Sequence, residues 1–307
     1  MAAITELTIG APIKAGHLTV FPIFGAGETL SAACLDEALA EGAVEIREVS
    51  AEGRVGEIEI CNLGDQPLFL LDGEQVLGLK QNRAFNLSML IEPGAKTTVP
   101  VSCLEQGRWA RVPASSTSAS HAHFAAGRAR KLASVSRSLR ERRSYASDQN
   151  LVWQDISNRM DALDLSSPTH AEADAFLGIA QRVERIADNI EIADGQIGAA
   201  VAVNGLLVGL DIFCSSALFA KLARKLYRSY AAEPAAESRS DDCGKDVTQL
   251  LKALCSSPTA RFAAPGGGET LRWETHHANA AALAVDGQQV HIAAFPTQGN
   301  ACAPGCA

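Results

Sequence analysis

The stretch from Gln196 to Phe213, QIGAAVAVNGLLVGLDIF, constrains the fold more than any other. Two apolar runs flank Asn204-Gly205, the pair that most strongly signals a two-residue β-hairpin. A strand with one wet face alternates apolar and polar residues, and neither arm does so. The hairpin must therefore be covered on both faces. That need for two covering layers predicts one composite fold, in which a β-rich region over residues 1–112 packs with a second region over 113–307 made of helices, this hairpin and terminal strands.

The rest of the pattern supplies the layers. His17 to Phe24 reads as a strand, with Pro22 marking an edge or a bulge. Leu35 to Glu41 reads as a short helix stopped by Gly42. Ala43 to Val101 reads as closely spaced short strands with turn residues between them, Phe85 to Ile91 being one, the signature of a sandwich or open barrel. Ala114 to Ser120 reads as a polar loop. Helical spacing follows over Gly127–Tyr145, over Gln149–Leu163 with Asp148 as its cap, and from Ser167-Pro168 onward as N-cap and first helical residue. Ser216–Tyr230 and Asp246–Leu254 are amphipathic. The chain ends in strands, with Asp286-Gly287 as a second hairpin turn. Strands, then helices, then strands indicate an α+β fold: an N-terminal antiparallel, sandwich-like region, central helices, the buried hairpin and a C-terminal β-meander.

Charge is distributed unevenly along the 307 residues. The net charge is −8, yet residues 111–146 hold eight basic side chains and one acidic one. Arg128, Arg130, Lys131, Arg137, Arg140, Arg142 and Arg143 fall on one helix and form a candidate contact for RNA or another polyanion; a solvated face that pairs with the acidic flanks is the plainer reading. The eight cysteines are scattered with no CxxC pair, which suits reduced thiols in a reducing compartment. No apolar run approaches the ~20 residues of a membrane span, and no basic-then-apolar leader opens the chain, so the cytoplasm is the expected location and no membrane partner is expected.

Candidate chemistry concentrates between Leu68 and Trp109. Asp72 and Glu74 flank Gly73; on a strand end they would share a face and act as acid and base or as ligands for a divalent metal. Lys80, Gln81, Asn82 and Arg83 follow, a dense set of donors suited to a phosphate. Ser102, Cys103, Glu105, Gln106, Arg108 and Trp109 close the stretch; Arg108 and Trp109 suit a phosphate and a stacked base. Cys103 is a candidate nucleophile with His121 or His123 as base, against the commoner role of a small buried hydrophobe. The expectation is that the three clusters converge on one face. His276-His277 points to opposite sides of a strand, and Gly266-Gly267-Gly268 lacks the strand–loop–helix context of a phosphate loop. Cys302 and Cys306 bracket Ala-Pro-Gly in the tail, with no second pair at ligand spacing nearby, so a structural zinc site is not the expected reading.

LLDGEQVLGLKQNRAFN, VPVSCLEQGRW, DQNLVW (Asp148 to Trp153), SPT (Ser167 to Thr169) and GQIGAAVAVNGLLVGLDIF resemble, in order and spacing, the bacterial domain family associated with ADP-ribosylglycohydrolase and rhodanese-phosphatase domains. The resemblance runs from about Gly16 to Tyr230. It implies, by association, the processing or sensing of nucleotides derived from NAD or from RNA ends. Position by position it marks Asp72, Glu74, Lys80, Gln81, Asn82, Arg83, Ser102, Glu105, Gln106, Arg108, Gln196 and Asp211.

Together these readings point first to an enzyme on a nucleotide or ADP-ribose-type substrate. Asp72, Glu74, Lys80 and Glu105 would be its catalytic groups. Gln81, Asn82, Arg83, Ser102, Cys103, Gln106, Arg108, Trp109, Gln196 and Asp211 would bind the substrate. A non-catalytic nucleotide-sensing or RNA-binding module is the alternative, and a Cys103-dependent hydrolase or transferase is the third option.

Overall fold

The computed structural model describes residues 6–27, 30–110, 116–235 and 243–297. In chain order the elements are β1 (Thr8–Ile9), β2 (Ile13–Ala15), β3 (Leu18–Phe24), β4 (Ala33–Cys34), α1 (Leu35–Ala40), β5 (Val44–Glu48), β6 (Glu57–Asn62), β7 (Leu68–Leu70), β8 (Glu74–Leu77), β9 (Arg83–Phe85), β10 (Met89–Ile91), β11 (Lys96–Cys103) and β12 (Thr117–Ala122). There follow α2 (Ala125–Arg142), α3 (Gln149–Ala162), α4 (Glu172–Asp188), β13 (Gln196–Val203), β14 (Leu206–Phe213), α5 (Ser216–Ala231), α6 (Cys243–Ser256), β15 (Ala260–Ala263), β16 (Glu269–Glu274), β17 (Ala278–Val285) and β18 (Gln288–Pro296). The fold is α+β, and among the described residues all strand pairs but β4–β7 are antiparallel.

The hairpin β13–β14 lies at the centre of a nine-stranded sheet, ordered β1-β3-β13-β14-β18-β17-β16-β15 with β2 beside β3. Asn204 and Gly205 have φ of 46° and 81°, the two positive values that such a turn requires. Both faces are covered as the sequence demands. Ala199, Val201 and Val203 face Phe219, Leu222 and Tyr227 of α5. Ala200, Ala202 and Leu210 face Val247, Leu250 and Leu254 of α6. Beside this sheet stand a three-stranded sheet, β10-β7-β4, and a six-stranded one, β12-β8-β9-β11-β6-β5, which share a core of Ile58, Ile60, Phe85, Met89 and Val99.

Several boundaries differ from expectation, each for a local reason. Strand β3 is an interior strand, although it contains Pro22. The Pro22 carbonyl accepts from Gly10 N, so its missing donor faces the break between β1 and β2, where no ladder bond is lost. The apolar run from Phe85 to Ile91 is two strands in different sheets, joined by a corner at Asn86–Ser88; the Asn86 side chain donates to Tyr145 O and Ser88 Oγ accepts from Asp72 N. Thr117–Ala122 is a strand against β8, not loop. Helix α4 starts at Glu172 rather than after Ser167, because Ala171 bridges to Glu105. Ser167 instead braces the approach, accepting from Ala171 N and donating to Asp174.

Helix α2 decides where the basic residues go. Its inner face carries Leu132, Val135 and Leu139, and also Arg128 and Lys131, which are wholly buried. Those two cations are therefore not part of an RNA-facing surface. Arg130, Arg137 and Arg140 remain outward, along a groove of about 510 Å³ that Leu151 and Asn279 also line.

Candidate functional site: a carboxylate hub and a buried charge layer

Two of the three expected clusters meet. Glu105 is the hub: its carboxylate accepts from Arg108 Nη2 at 2.6 Å, from Thr169 Oγ1 at 3.0 Å and from Asn82 N at 3.2 Å. Gln81 Nε2 donates to the Glu105 carbonyl at 3.0 Å. Arg108 also donates to the carbonyls of Leu79 and Ala110 and to Asn82 Oδ1. Burial opposes ionisation of Glu105, but the bonds from Arg108, Asn82 and Thr169 outweigh it and hold its carboxyl below the usual range. A carboxylate so held stays charged and anchors its neighbours; it is a poor proton donor.

Above this hub is the most open part of the stretch. Gln106 and Trp109 are exposed, and Lys80, Asn82 and Arg108 are half-buried. Lys80 Nζ lies 5.4 Å and the Arg83 guanidinium 5.8 Å from the Trp109 ring centre. Lys80 Nζ donates to Glu52 O, and Arg83 makes a bidentate pair with Glu48 at 2.9 and 3.1 Å. Arg83 is fully buried and thus shapes the site from below.

Ser102 and Cys103 sit behind the hub. Ser102 Oγ bonds Asn86 and Ser147, each at 2.6 Å. Gln149 clamps the Cys103 backbone through both amide atoms. Burial pushes the Cys103 thiol up, against bonds from Glu105 and Trp153 that pull it down. His123 is bound to Glu172 at 2.6 Å and His121 stacks on Phe176. A protonated, buried thiol whose proposed bases are occupied elsewhere lacks the activation a nucleophile needs.

The DGE cluster turns inward and splits. Gly73 adopts φ of 82°, so Asp72 and Glu74 flank a turn instead of sharing a strand face. A Cβ at Gly73 would stand 2.9 Å from Arg128 Cγ, so this close approach requires glycine. Asp72 pairs with Lys131, whose Nζ also donates to Phe85 O at 2.8 Å. Glu74 pairs with Lys225 of α5 at 2.6 Å and accepts from Leu71 N. Each carboxylate thus has an ammonium partner, Lys225 being shared with Asp36. A divalent metal would have to displace a lysine to bind either, and among the described residues no three acidic, histidine or cysteine side chains gather as a ligand set.

Asp211 joins the same inner layer. Arg128 grips it bidentately at 2.6 and 3.0 Å, Tyr230 donates to it at 2.8 Å, and His291 Nε2 lies 3.2 Å away. Burial would raise its pKa, but Arg128 and His291 depress it well below the carboxylate range. His291 Nδ1 meets Ser88 Oγ at 2.8 Å. Ser88, His291 and Asp211 form a hydrogen-bonded chain in the order used by hydrolases. It is walled in, with His291 between Phe69 and Phe213, and serves to tie the sheets together. Gln196 stands apart, bonded to Tyr227, Gly198 and Ala193.

Ser88, Lys225, Arg272 and His291 are not singled out by the sequence, and Thr169 stands there only as the end of the SPT motif. For Ser88, Arg272 and His291 the available signal is a lone polar residue within an apolar run, as in LSMLI, LRW and VHIAAF. The described part of the tail ends at 297, so Cys302 and Cys306 lie outside it.

The molecule is thus an α+β protein in which a layer of buried ion pairs joins a large sheet to a motif-bearing β region. The chain matches, over residues 6–295, the family described as ARG and Rhodanese-Phosphatase-superfamily-associated Protein domain, and it belongs to that family. The match runs past Tyr230 and takes in the strands that supply Arg272 and His291. No curated protein and no solved structure matches the chain. The family is associated with ADP-ribosylglycohydrolase and rhodanese-phosphatase partners. Among the described residues no helix is long and apolar enough to cross a membrane.

Proposed function

We propose that the chain recognises a nucleotide or ADP-ribose-type ligand at the surface over Glu105. Trp109 would stack a base, Lys80 would hold phosphate, Gln106 and Asn82 would orient the ribose, and Arg108, whose donors are taken up by Glu105, Asn82, Leu79 and Ala110, would position the site. The exposed Trp109 with two cations within 6 Å of its ring centre carries this reading. The family association adds weight to it. Binding is favoured over turnover, because Asp72, Glu74 and Glu105 are each held in an ion pair and none is placed as a free acid or base. Stacking of a base on an aromatic is worth about 1–3 kcal/mol. Trp109→Ala should therefore weaken ADP-ribose or nucleotide binding by roughly five- to 150-fold in calorimetry, with the melting temperature of the free protein little changed. Equal affinity of the variant would sink the assignment, and release of product from the bound nucleotide would restore a hydrolytic role.

The groove along α2 supports a second reading, contact with a polyanion such as RNA through Arg137, with Arg130 and Arg140 beside it already paired to Asp155 and Glu274 and with Arg142 and Arg143 at the end of the helix. Neutralising Arg137 and Arg140 together should flatten the salt dependence of RNA binding. An unchanged slope in a filter-binding titration would remove this reading.

A further inference from the structure

Among the described residues, the inner face of the large sheet holds one cation with no ion pair of its own, Arg272. Register places Asp211 opposite Ala293, Ala293 opposite Ala281, and Ala281 opposite Arg272. Across four neighbouring strands the row reads acid, methyl, methyl, cation. Strand alternation turns Leu271 and Trp273 to the α6 side and Thr270 and Arg272 to this one. The small residues leave a void of about 10 Å³, the size of one water. Asp72, Ser88, Thr270, Arg272, His291 and Ala293 line it.

Arg272 is 2 % exposed. Its Nε donates to Thr270 Oγ1 at 3.1 Å, but Nη1 and Nη2 have no hydrogen-bond partner among the described residues. Burial pulls its pKa down to about 10, against the field of Asp72, so it keeps its charge at neutral pH. Asp211 is committed to Arg128 and Asp72 to Lys131 through Oδ1, while Asp72 Oδ2 has no hydrogen-bond partner among the described residues and Asp72 lines the same void. Whichever member of the Asp72–Lys131 pair holds the proton, that pair is neutral as a unit. Arg140, whose field also reaches Arg272, has Glu274 as its partner. A proton on His291 would only add positive charge. Among the described residues the layer therefore sums to one uncompensated positive charge, centred on a guanidinium with two open donor nitrogens. An uncompensated buried charge is strongly unfavourable, and a bound water answers the hydrogen bonds without answering the charge.

We propose that this chamber is a binding site for a small monovalent anion of halide size, held by Arg272 Nη1 and Nη2. The anion completes the charge layer that joins the large sheet to the Asp72 turn, and it couples the stability of the protein to halide concentration.

The test is the melting temperature of the full chain in sodium chloride or bromide against sodium gluconate at equal ionic strength, since gluconate is too large for the void. Chloride and bromide should raise the melting temperature over gluconate, and the difference should vanish in Arg272→Met, which removes the cation and keeps the bulk. A bromide-soaked crystal should show an anomalous peak beside Arg272. Equal melting temperatures in the two salts would overturn the proposal. So would the same halide effect in Arg272→Met, or a chamber holding only a water that bridges Arg272 and Asp72. Should Arg272→Met fail to fold, the salt comparison on the unaltered chain and the bromide peak decide the matter alone.

Discussion

His121 shows how burial converts one side chain into a pH dependence for the whole fold. It is 8 % exposed and stacks on Phe176 with ring centres 3.4 Å apart. Burial lowers its pKa from 6.5 to about 4, outweighing the attraction of Glu172, while Lys225 and Arg228 lower it further. The unfolded chain therefore binds a proton at His121 that the folded chain refuses. Stability from this residue is complete above about pH 6.5 and declines as pH falls toward 4, by on the order of 3 kcal/mol in total. Denaturant midpoints measured across that window should fall with acidification, and His121→Phe should flatten the fall. An equal slope in the variant would count against it. At this scale the sequence was only partly informative. Glu105, Asn82 and Arg108 were legible as a group because they are close in the chain and dense in polar atoms. Ser88, Arg272 and His291 were not, because what makes them a cluster is register between strands far apart in sequence. Asp72 and Glu74 were recognised as important, but their partners Lys131 and Lys225 lie on helices whose inward-facing cations look like ordinary surface charge in a linear reading.

At the scale of the element, the hairpin β13–β14 was the most legible part, since Asn204-Gly205 and two unbroken apolar arms leave few other solutions. Replacing Gly205, at φ of 81°, with alanine puts a Cβ into the left-handed region at a cost of roughly 1–2 kcal/mol. Gly205→Ala should lower the melting temperature accordingly without altering binding at Trp109, and an unaffected melting temperature would mean that the turn relaxes to another type. The strand Phe85–Ile91 was misread for the converse reason. An apolar run carries no mark of the point where it passes from one sheet to another when the corner is held by side chains from elsewhere, here Tyr145 O for Asn86 and the Asp72 amide for Ser88. Helix α2 was placed correctly, yet its buried Arg128 and Lys131 invert the usual sense of an amphipathic pattern, in which charge marks the wet side.

At the scale of the molecule, the first strands of the β-rich region belong to the sheet built by the second. Strand β3 pairs along its length with β13, and β14 in turn pairs with β18. Residues 1–112 and 113–307 made as separate chains should each lack ordered structure by near-UV circular dichroism, and mixing them should restore it. A cooperative melt from either piece alone would show an independent domain.

The pairing of Val20 with Val201 also sets a clock on biosynthesis. Chains emerge at about 5–20 residues per second, so some 180 residues of synthesis hold the β3 edge without its neighbour for roughly ten to forty seconds. An apolar strand waiting that long is a target for chaperones and a seed for misassembly, and pausing the ribosome between α2 and β13 would lengthen the exposure.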